Sequence, residues 1–352
     1  MYLRTPDPTG VHAVGKDTRL LEDASRAEAA TEAAGDHRQV RVVAWYPAVT
    51  GTGDPAAYIE GLDRIGDGLV SSGAIDGFAR TGLDLVTTAA WQDASVAITS
   101  GPYPVVILSP GNATNVEFYG ALAEELASHG YVVMGLDHPF QSAAVALGDT
   151  VATYSGDAPM NRAEEVTRGR IDERVADIGF VLDRLETDAA GFETLAARLD
   201  LDRVAVIGHS NGGLAAVQVC DDPRVSACAN IDGQNVAGPF GISADPAAPV
   251  NPFLFLTKET ELHPALTEAF EAGGPGGYRV VVPAAAHDSF TDGPRFQPRL
   301  LPLEGTADAV MTVTRGFLVA FLDDTLRDAP REVLGDVSAP TDVLVEIYPL
   351  LP

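Results

Sequence analysis

One short stretch of the chain has the residue types and spacing for nucleophilic catalysis. Gly208-His209-Ser210-Asn211-Gly212 fits G-x-S-x-G, the pattern of a serine exposed on a sharp turn between a strand and a helix. Before it, the four apolar residues Val204 to Ile207 read as a strand buried on both faces. After it, Leu214 to Val219 reads as a helix, whose first free N–H groups would face any oxyanion formed at the turn. The bland alternative is a serine in an ordinary glycine-rich turn. The strand and helix on either side argue against it, and Ser210 is the expected nucleophile.

A serine hydroxyl attacks poorly at neutral pH unless a base lies within hydrogen-bonding reach. On a sheet of alternating strands and helices the partners follow in the order serine, acid, histidine, each near a strand's carboxyl end. His287, in Val280-Val-Val-Pro-Ala-Ala-Ala-His287, follows a late strand and is the expected base. His263 reads as a loop residue, and His209 inside the turn is expected to point away from the nucleophile. His138, after an earlier strand, is a candidate for lining the pocket. The acid has two candidate places: Asp232 in Asn230-Ile-Asp-Gly-Gln234, and Glu259 or Glu261 one strand later. A short aspartate at a strand end, followed by Gly233, suits a fixed bond to imidazole, and Asp232 is favoured. It would hold the histidine tautomer and stabilise the imidazolium without taking the proton. The oxyanion donors are expected to be the backbone N–H groups of Asn211 and Asn112, and Gln234 is a further pocket candidate. This chemistry needs no metal and no organic cofactor.

The elements that must hold these residues are legible in outline. Val40 to Trp45 reads as an early strand, and the alternation becomes regular from Pro104. Strands follow at Val105–Leu108, Tyr131–Leu136, Val225–Ile231, Pro252–Leu256 and Tyr278–Val282. Helices are expected over 116–128, 163–185 and 307–326. Possible further strands are Asp84–Thr88 and Ser95–Thr99. Residues 50–83, with Ile59, Leu62, Ile65 and Leu69 at helical spacing, read as an insertion that could line a substrate entrance. Residues 138–163 form a long connection of the kind that is more often functional than idle, a possible cap. Residues 1–39 are expected to be an extension of loops and a short helix, 40–330 the single catalytic domain, and 331–352 a tail. The result is a mostly parallel central sheet with helices on both faces.

Composition narrows the partners. Against 23 basic residues stand 50 acidic ones, a formal net charge of -27 over 352 residues. That argues against nucleic acid and against adhesion to anionic membranes, and no apolar run reaches the ~18 residues of a membrane span. Residues 1–20 lack the apolar core of a signal peptide, so the chain is expected to be cytoplasmic or the mature form of a secreted protein. The two cysteines, Cys220 and Cys228, are too few for a metal site; a disulfide and two buried thiols are both open.

Several segments together resemble the platelet-activating-factor acetylhydrolases. They are Val42-Val-Ala-Trp-Tyr-Pro47, Val105-Val-Ile-Leu-Ser-Pro-Gly111, Leu126-Ala-Ser-His-Gly-Tyr131, Val204 to Gly213, Asn230-Ile-Asp-Gly233 and His287-Asp-Ser-Phe-Thr-Asp292, in order over about residues 40–325. The resemblance implies an α/β-hydrolase fold and ester hydrolysis. It also implies Ser210, Asp232 and His287 as the triad, with Asn112 and Asn211 as oxyanion donors. The chain departs from the family at Asn211, where family members carry an aromatic, and at Gly233-Gln234, where they carry a bulky aromatic past the acid. It also lacks an apolar or basic surface helix for docking on lipid. A small ester is therefore the expected substrate, with a polyester or cutinase-like hydrolase, or a silent hydrolase-fold binding protein, as alternatives.

Overall fold

The computed structural model describes residues 4–33, 35–98, 101–156, 163–233, 251–258, 277–282, 285–296, 304–327 and 346–350. Their main sheet is built from β1 (Ala13–Ala27), β2 (His37–Ala48), β3 (Asp54–Ala57), β4 (Thr87–Gln92), β5 (Tyr103–Ser109) and β6 (Val132–Asp137). A separate hairpin, β7 (Ala144–Leu147) and β8 (Thr150–Thr153), precedes β9 (Leu199–His209). The sheet continues with β10 (Ala227–Ile231), β11 (Phe253–Thr257), β12 (Gly277–Val281) and β13 (Glu346–Leu350). Across it the order is β13-β12-β11-β10-β9-β5-β6-β2-β1-β4-β3. From β6 to β12 every neighbouring pair is parallel, whereas β2 and β13 pair antiparallel at either end of that block.

The longer helices are α1 (Leu62–Ser71), α2 (Gly120–Ser128), α3 (Ala163–Asp188), α4 (Asn211–Gln218) and α5 (Glu304–Arg327). They divide between the faces. Val106 and Leu108 of β5 share one core with Leu122 of α2 and Phe317 of α5. Val105 and Ile107, on the other side of the same strand, pack with Ile178 of α3 and Ala215 of α4. Successive side chains of a strand point to opposite faces, so a strand covered on both must be apolar throughout. The unbroken apolar runs in the sequence have that cause. Helix α2 ends at His129-Gly130, where Gly130 takes φ 92° and Arg327 donates to both carbonyls at 2.8 and 2.6 Å.

Some expectations need correcting. Residues 13–27 are not loops and a short helix but the 15-residue strand β1, paired antiparallel with β2 from Val14↔Pro47 to Asp23↔Arg38. The strand hides charge where an apolar pattern would be sought. Buried Lys16 donates its ammonium to the carbonyls of Ala57 and Tyr58 at 2.9 and 3.1 Å, and lies over the Trp45 ring. At the other end, Glu346–Leu350 pairs antiparallel with β12. The sheet therefore crosses both expected boundaries, at 39/40 and at 330/331. Of the expected strand Ser95–Thr99, the described residues 95–98 make only a lone bridge, from Val96 to Ala48, and the strand expected at Asp84–Thr88 lies at Thr87–Gln92. Val116–Tyr119 is a 3-10 turn leading into α2. The long connection after β6 carries the β7–β8 hairpin, with α1 of the 50–83 insertion packed on it: a Cβ on Gly68 would come within 2.7 Å of Ala144 Cβ. Among the described residues no helix is long and apolar enough to cross a membrane.

Cys220, just past α4, is bonded to Cys228 in β10, with Cα atoms 5.8 Å apart. The bridge pins the end of the helix that follows Ser210 to the strand that carries Asp232. Closing so short a loop restricts the unfolded chain modestly, so the Cys220→Ala/Cys228→Ala variant should lose about 2–3 kcal/mol of unfolding free energy in a denaturant titration. A variant as stable as the parent would show that the bridge contributes nothing.

Candidate active site

Ser210 takes φ 54° and ψ -121°, a backbone conformation that a non-glycine residue holds only when its surroundings enforce it. The enforcement is visible in the glycines around it. A Cβ on Gly212 would lie 2.1 Å from the Ser109 carbonyl oxygen, and one on Gly208 would lie 2.2 Å from the Gly212 carbonyl oxygen. Both glycines of the motif are there because β9, α4 and the end of β5 meet with no room between them. Ser210 N–H donates to the Ile231 carbonyl at 2.9 Å, so the turn is stitched to the strand that leads into Asp232.

Asp232 follows β10 directly and also takes a positive φ, 50°. The Asn230 side chain closes this turn: its Oδ1 accepts from Gly233 N–H at 2.8 Å and its Nδ2 donates to the Gly233 carbonyl at 3.0 Å. A Cβ on Gly233 would meet the Ser210 carbonyl oxygen at 2.5 Å. The turn of Asp232 therefore packs on the backbone of Ser210. Buried Asp232 accepts at Oδ1 from Thr257 Oγ1 at 3.0 Å and Lys258 N–H at 3.2 Å. Its Oδ2 lies 2.6 Å from His287 Nδ1. His287, 43% exposed in its side chain, opens a short 3-10 turn, His287–Phe290. Its Nε2 makes no hydrogen bond to a described residue, Ser210 included.

The loop after β5 lies against the serine: a Cβ on Gly111 would be 3.5 Å from Ser210 Cβ. Gly111 N–H donates to Tyr119 Oη at 2.9 Å and Ala113 N–H to the Gln141 carbonyl at 2.8 Å. Between them the Asn112 N–H is left without a partner among the described residues. Asn211 is the first residue of α4, where an N–H has no intrahelical acceptor. Beside these groups opens a cavity of about 230 Å³, walled by Ser72–Ala74, Asn112, Thr114, Phe118, Asp288 and Thr291 among others. Its walls carry neighbours of the site residues rather than Ser210 and His287 themselves. Ser72–Ala74 belong to the insertion expected at a substrate entrance.

His138 is elsewhere. It is fully buried, with Nε2 2.9 Å from Ser109 Oγ and Nδ1 2.8 Å from Asp177 Oδ2, so it cannot line the pocket. Burial, with the Arg174 charge nearby, pushes its pKa down to about 4, and it serves as a neutral link beneath the site. Gln234, Glu259, Glu261 and His263 lie outside the described residues. Among those described, no cluster of His, Cys, Asp or Glu could hold a metal.

Residues 55–158 match the family model for platelet-activating factor acetylhydrolase, isoform II. Among curated proteins, the platelet-activating factor acetylhydrolase of Bos taurus is 28% identical over 170 residues, covering 41% of this chain and 37% of that protein. A probable 1-alkyl-2-acetylglycerophosphocholine esterase of Arthroderma benhamiae is 30% identical over 132 residues, covering 37% of this chain and 31% of its own. These matches span about a third of those relatives' length. A solved ferulic acid esterase from Streptomyces cinnamoneus superposes with a TM-score of 0.76 at 29% identity, over 97% of this chain and 98% of that one.

The chain has an α/β-hydrolase fold and resembles the platelet-activating-factor acetylhydrolases over part of its length. Within this fold, the residues that brace the site carry no signal in the sequence. Arg174, fully buried, donates to the Pro110 carbonyl at 2.6 Å and the Gly111 carbonyl at 3.3 Å. It lies on a charged helix whose pattern resembles any solvated face, and only the fold brings it under the 110–112 loop.

Asp292 anchors the far end of the His287 loop. Its N–H donates to the Phe118 carbonyl at 2.7 Å, and its Oδ2 accepts from Ala121 N–H at 3.1 Å and Tyr58 Oη at 3.2 Å. Burial raises its pKa to about 7. A carboxyl raised in the folded state stabilises the fold fully below its unfolded pKa of about 4, and that contribution is lost as pH climbs through the folded value. Buried Glu124, raised to about 7 for the same reason, acts in the same direction. Asp292→Asn should therefore flatten, though not abolish, the decline in unfolding free energy between about pH 4 and 7. Urea titrations at pH 4.5, 6 and 7.5 would test it. An unchanged slope would mean that Asp292 is already ionised in the folded protein.

Proposed function

We propose that this hydrolase cleaves carboxylic esters of small acids through an acyl-Ser210 intermediate. The observation that carries the reading is the 2.6 Å bond between Asp232 Oδ2 and His287 Nδ1, beside a serine held at φ 54°. Asp232 accepts at that bond, so His287 carries its proton on Nδ1 and presents an unprotonated Nε2. In the reaction, His287 Nε2 comes within reach of Ser210 and takes the hydroxyl proton as Oγ attacks the ester carbonyl. Negative charge gathers on the carbonyl oxygen, where the N–H groups of Asn112 and Asn211 stabilise it. Collapse breaks the acyl–oxygen bond, and His287 gives its proton to the departing alcohol. Water then enters, loses a proton to His287, attacks the acyl carbon and frees the acid, while Ser210 recovers its proton.

The size of the cavity supports a small acyl group. At about 230 Å³ it lies below the roughly 300–1,000 Å³ of sites that enclose drug-sized ligands. The acetyl group named in the fungal relative and the aromatic acid named in the solved esterase are both compact. Partly polar walls, with Asn112, Thr114, Asp288 and Thr291, suit a short or polar acyl group better than a long alkyl chain.

Initial rates on p-nitrophenyl esters from acetate to palmitate should fall with chain length. Ser210→Ala should lower kcat by about 10⁴–10⁶-fold. Asp232→Asn should lower it by about 10⁴-fold, because the histidine then loses its fixed tautomer. An Asp232→Asn variant near wild type would move the acid to Glu259 or Glu261. A wild type inert on every ester would sink the esterase reading, and a preference for insoluble polyester would point to a cutinase-like enzyme.

A further inference from the structure

One unbroken chain of hydrogen bonds joins the two loops that the esterase chemistry must align. It starts on the 110–112 loop, where Gly111 N–H donates to Tyr119 Oη at 2.9 Å. Tyr119 Oη lies 2.8 Å from His209 Nδ1. His209 Nε2 in turn lies 3.0 Å from the His287 carbonyl oxygen. The direction of every bond is fixed by chemistry. An amide N–H can only donate and a carbonyl can only accept. His209 must therefore carry a proton on Nε2 and, as a neutral imidazole, accept at Nδ1 from the tyrosine hydroxyl.

We propose that Tyr119 and His209 are positioning residues that lock the 110–112 loop and the His287 loop into one unit with Ser210, an inference that rests on the esterase reading above. His209 immediately precedes Ser210 in the chain. Its bond to the His287 carbonyl thus ties the base to the backbone that carries the nucleophile, independently of the Asp232 contact. Tyr119 adds the third member, because it holds the amide next to Asn112. The imidazole rings of His209 and His287 lie 4.5 Å apart between centroids, so a charge on His209 would oppose the imidazolium that forms on His287. The bridge prevents this by occupying Nδ1 as an acceptor. Burial first, and the neighbouring His287 second, also hold the His209 pKa well below its ordinary value. The charged groups acting on Tyr119 are Asp288, Asp292 and Arg174, and His209 also packs against the neutral ring of Phe290.

The test uses the full chain, with Tyr119→Phe, His209→Gln and His209→Leu assayed on p-nitrophenyl acetate and ¹⁵N-histidine NMR of wild type and Tyr119→Phe. Phenylalanine fills the same space, so a packing role alone predicts no change in kcat. The bridge predicts a fall in kcat of about 10- to 100-fold with KM little altered, as for misplacement of a catalytic group by a fraction of an ångström. Glutamine can still donate to the His287 carbonyl and accept from Tyr119, and should retain more activity than leucine. In wild type His209 should remain a neutral Nε2–H imidazole across about pH 5–8, and in Tyr119→Phe, where its burial is kept, it should stay neutral while the Nδ1 signal shifts with the loss of its hydrogen-bond donor. An Nδ1–H tautomer in wild type overturns the proposal without any assay. An active wild type whose Tyr119→Phe variant keeps full kcat overturns the bridge alone. A wild type inert on esters removes the esterase reading and the catalytic role of the bridge together.

Discussion

The carboxyl edge of the sheet depends on a crossing of backbones too close for side chains. At Gly208, Gly212, Gly213 and Gly233 a Cβ would come within 2.1–2.5 Å of an atom across the turn. Those contacts force β9 to end in a residue at φ 54°, and they bring the turn after β10 against the carbonyl of that residue. Positive φ at a serine and an aspartate is unfavourable in itself by about 1–3 kcal/mol each. It persists because the alternative conformations would collide with β5 or with Asn230. Ser210 and Asp232 are consequently placed by one packing constraint, and His287 reaches Asp232 from a separate loop.

That division explains what the sequence disclosed. The constraint acts over a few residues, so it leaves local marks: a G-x-S-x-G after an apolar run, and an Asn-x-Asp-Gly at the next strand end. Strands covered on both faces are also self-announcing, because Val105–Leu108 of β5, Val204–Ile207 of β9 and Phe253–Leu256 of β11 have no polar position to interrupt them. The strand β1 had no such signature. It buries Lys16, Asp17 and Asp23; the two aspartates accept from close neighbours, Thr18 and Arg19 for Asp17 and Ser25 and Arg26 for Asp23, whereas Lys16 reaches the distant carbonyls of Ala57 and Tyr58. Where burial is secured by hydrogen bonds rather than by apolar area, periodicity carries no signal. Likewise, His138 follows a strand just as an active-site histidine might, yet the fold spends it on Ser109 and Asp177.

The buried charges around His138 form a layer under the loop that precedes α2. Arg38 bonds Asp177 at 2.7 and 3.1 Å, and Asp177 accepts from His138. Burial alone would raise the Asp177 pKa, but His138 and the Arg38 charge hold it well down. His138 in turn meets Ser109 at the end of β5. Arg174 belongs to the same layer, bonded to Gln141 Oε1 at 2.8 Å as well as to the loop carbonyls. Breaking any one pair would leave a buried charge uncompensated, a loss of several kcal/mol. The layer is hard to recognise because its members come from β2, the end of β5, the 138–141 turn and α3, which only the fold brings together.

This layer bears on the oxyanion role proposed for the Asn112 N–H. A donor helps only if it already faces the place where charge will appear, because turning it during the reaction would consume the gain. In the 110–113 segment both carbonyls before Asn112 are held from behind by Arg174, and both flanking N–H groups are taken, by Tyr119 and by Gln141. With its neighbours fixed on each side, the peptide plane of Asn112 has little freedom left. Among the described residues its N–H is unpaired, and moving the loop would break the bonds that its neighbours make to the buried Arg174 guanidinium and the buried Tyr119 hydroxyl. The open donor is thus a consequence of the saturated network around it, which is why the side chain at position 112 carried so little information and the residues behind it so much.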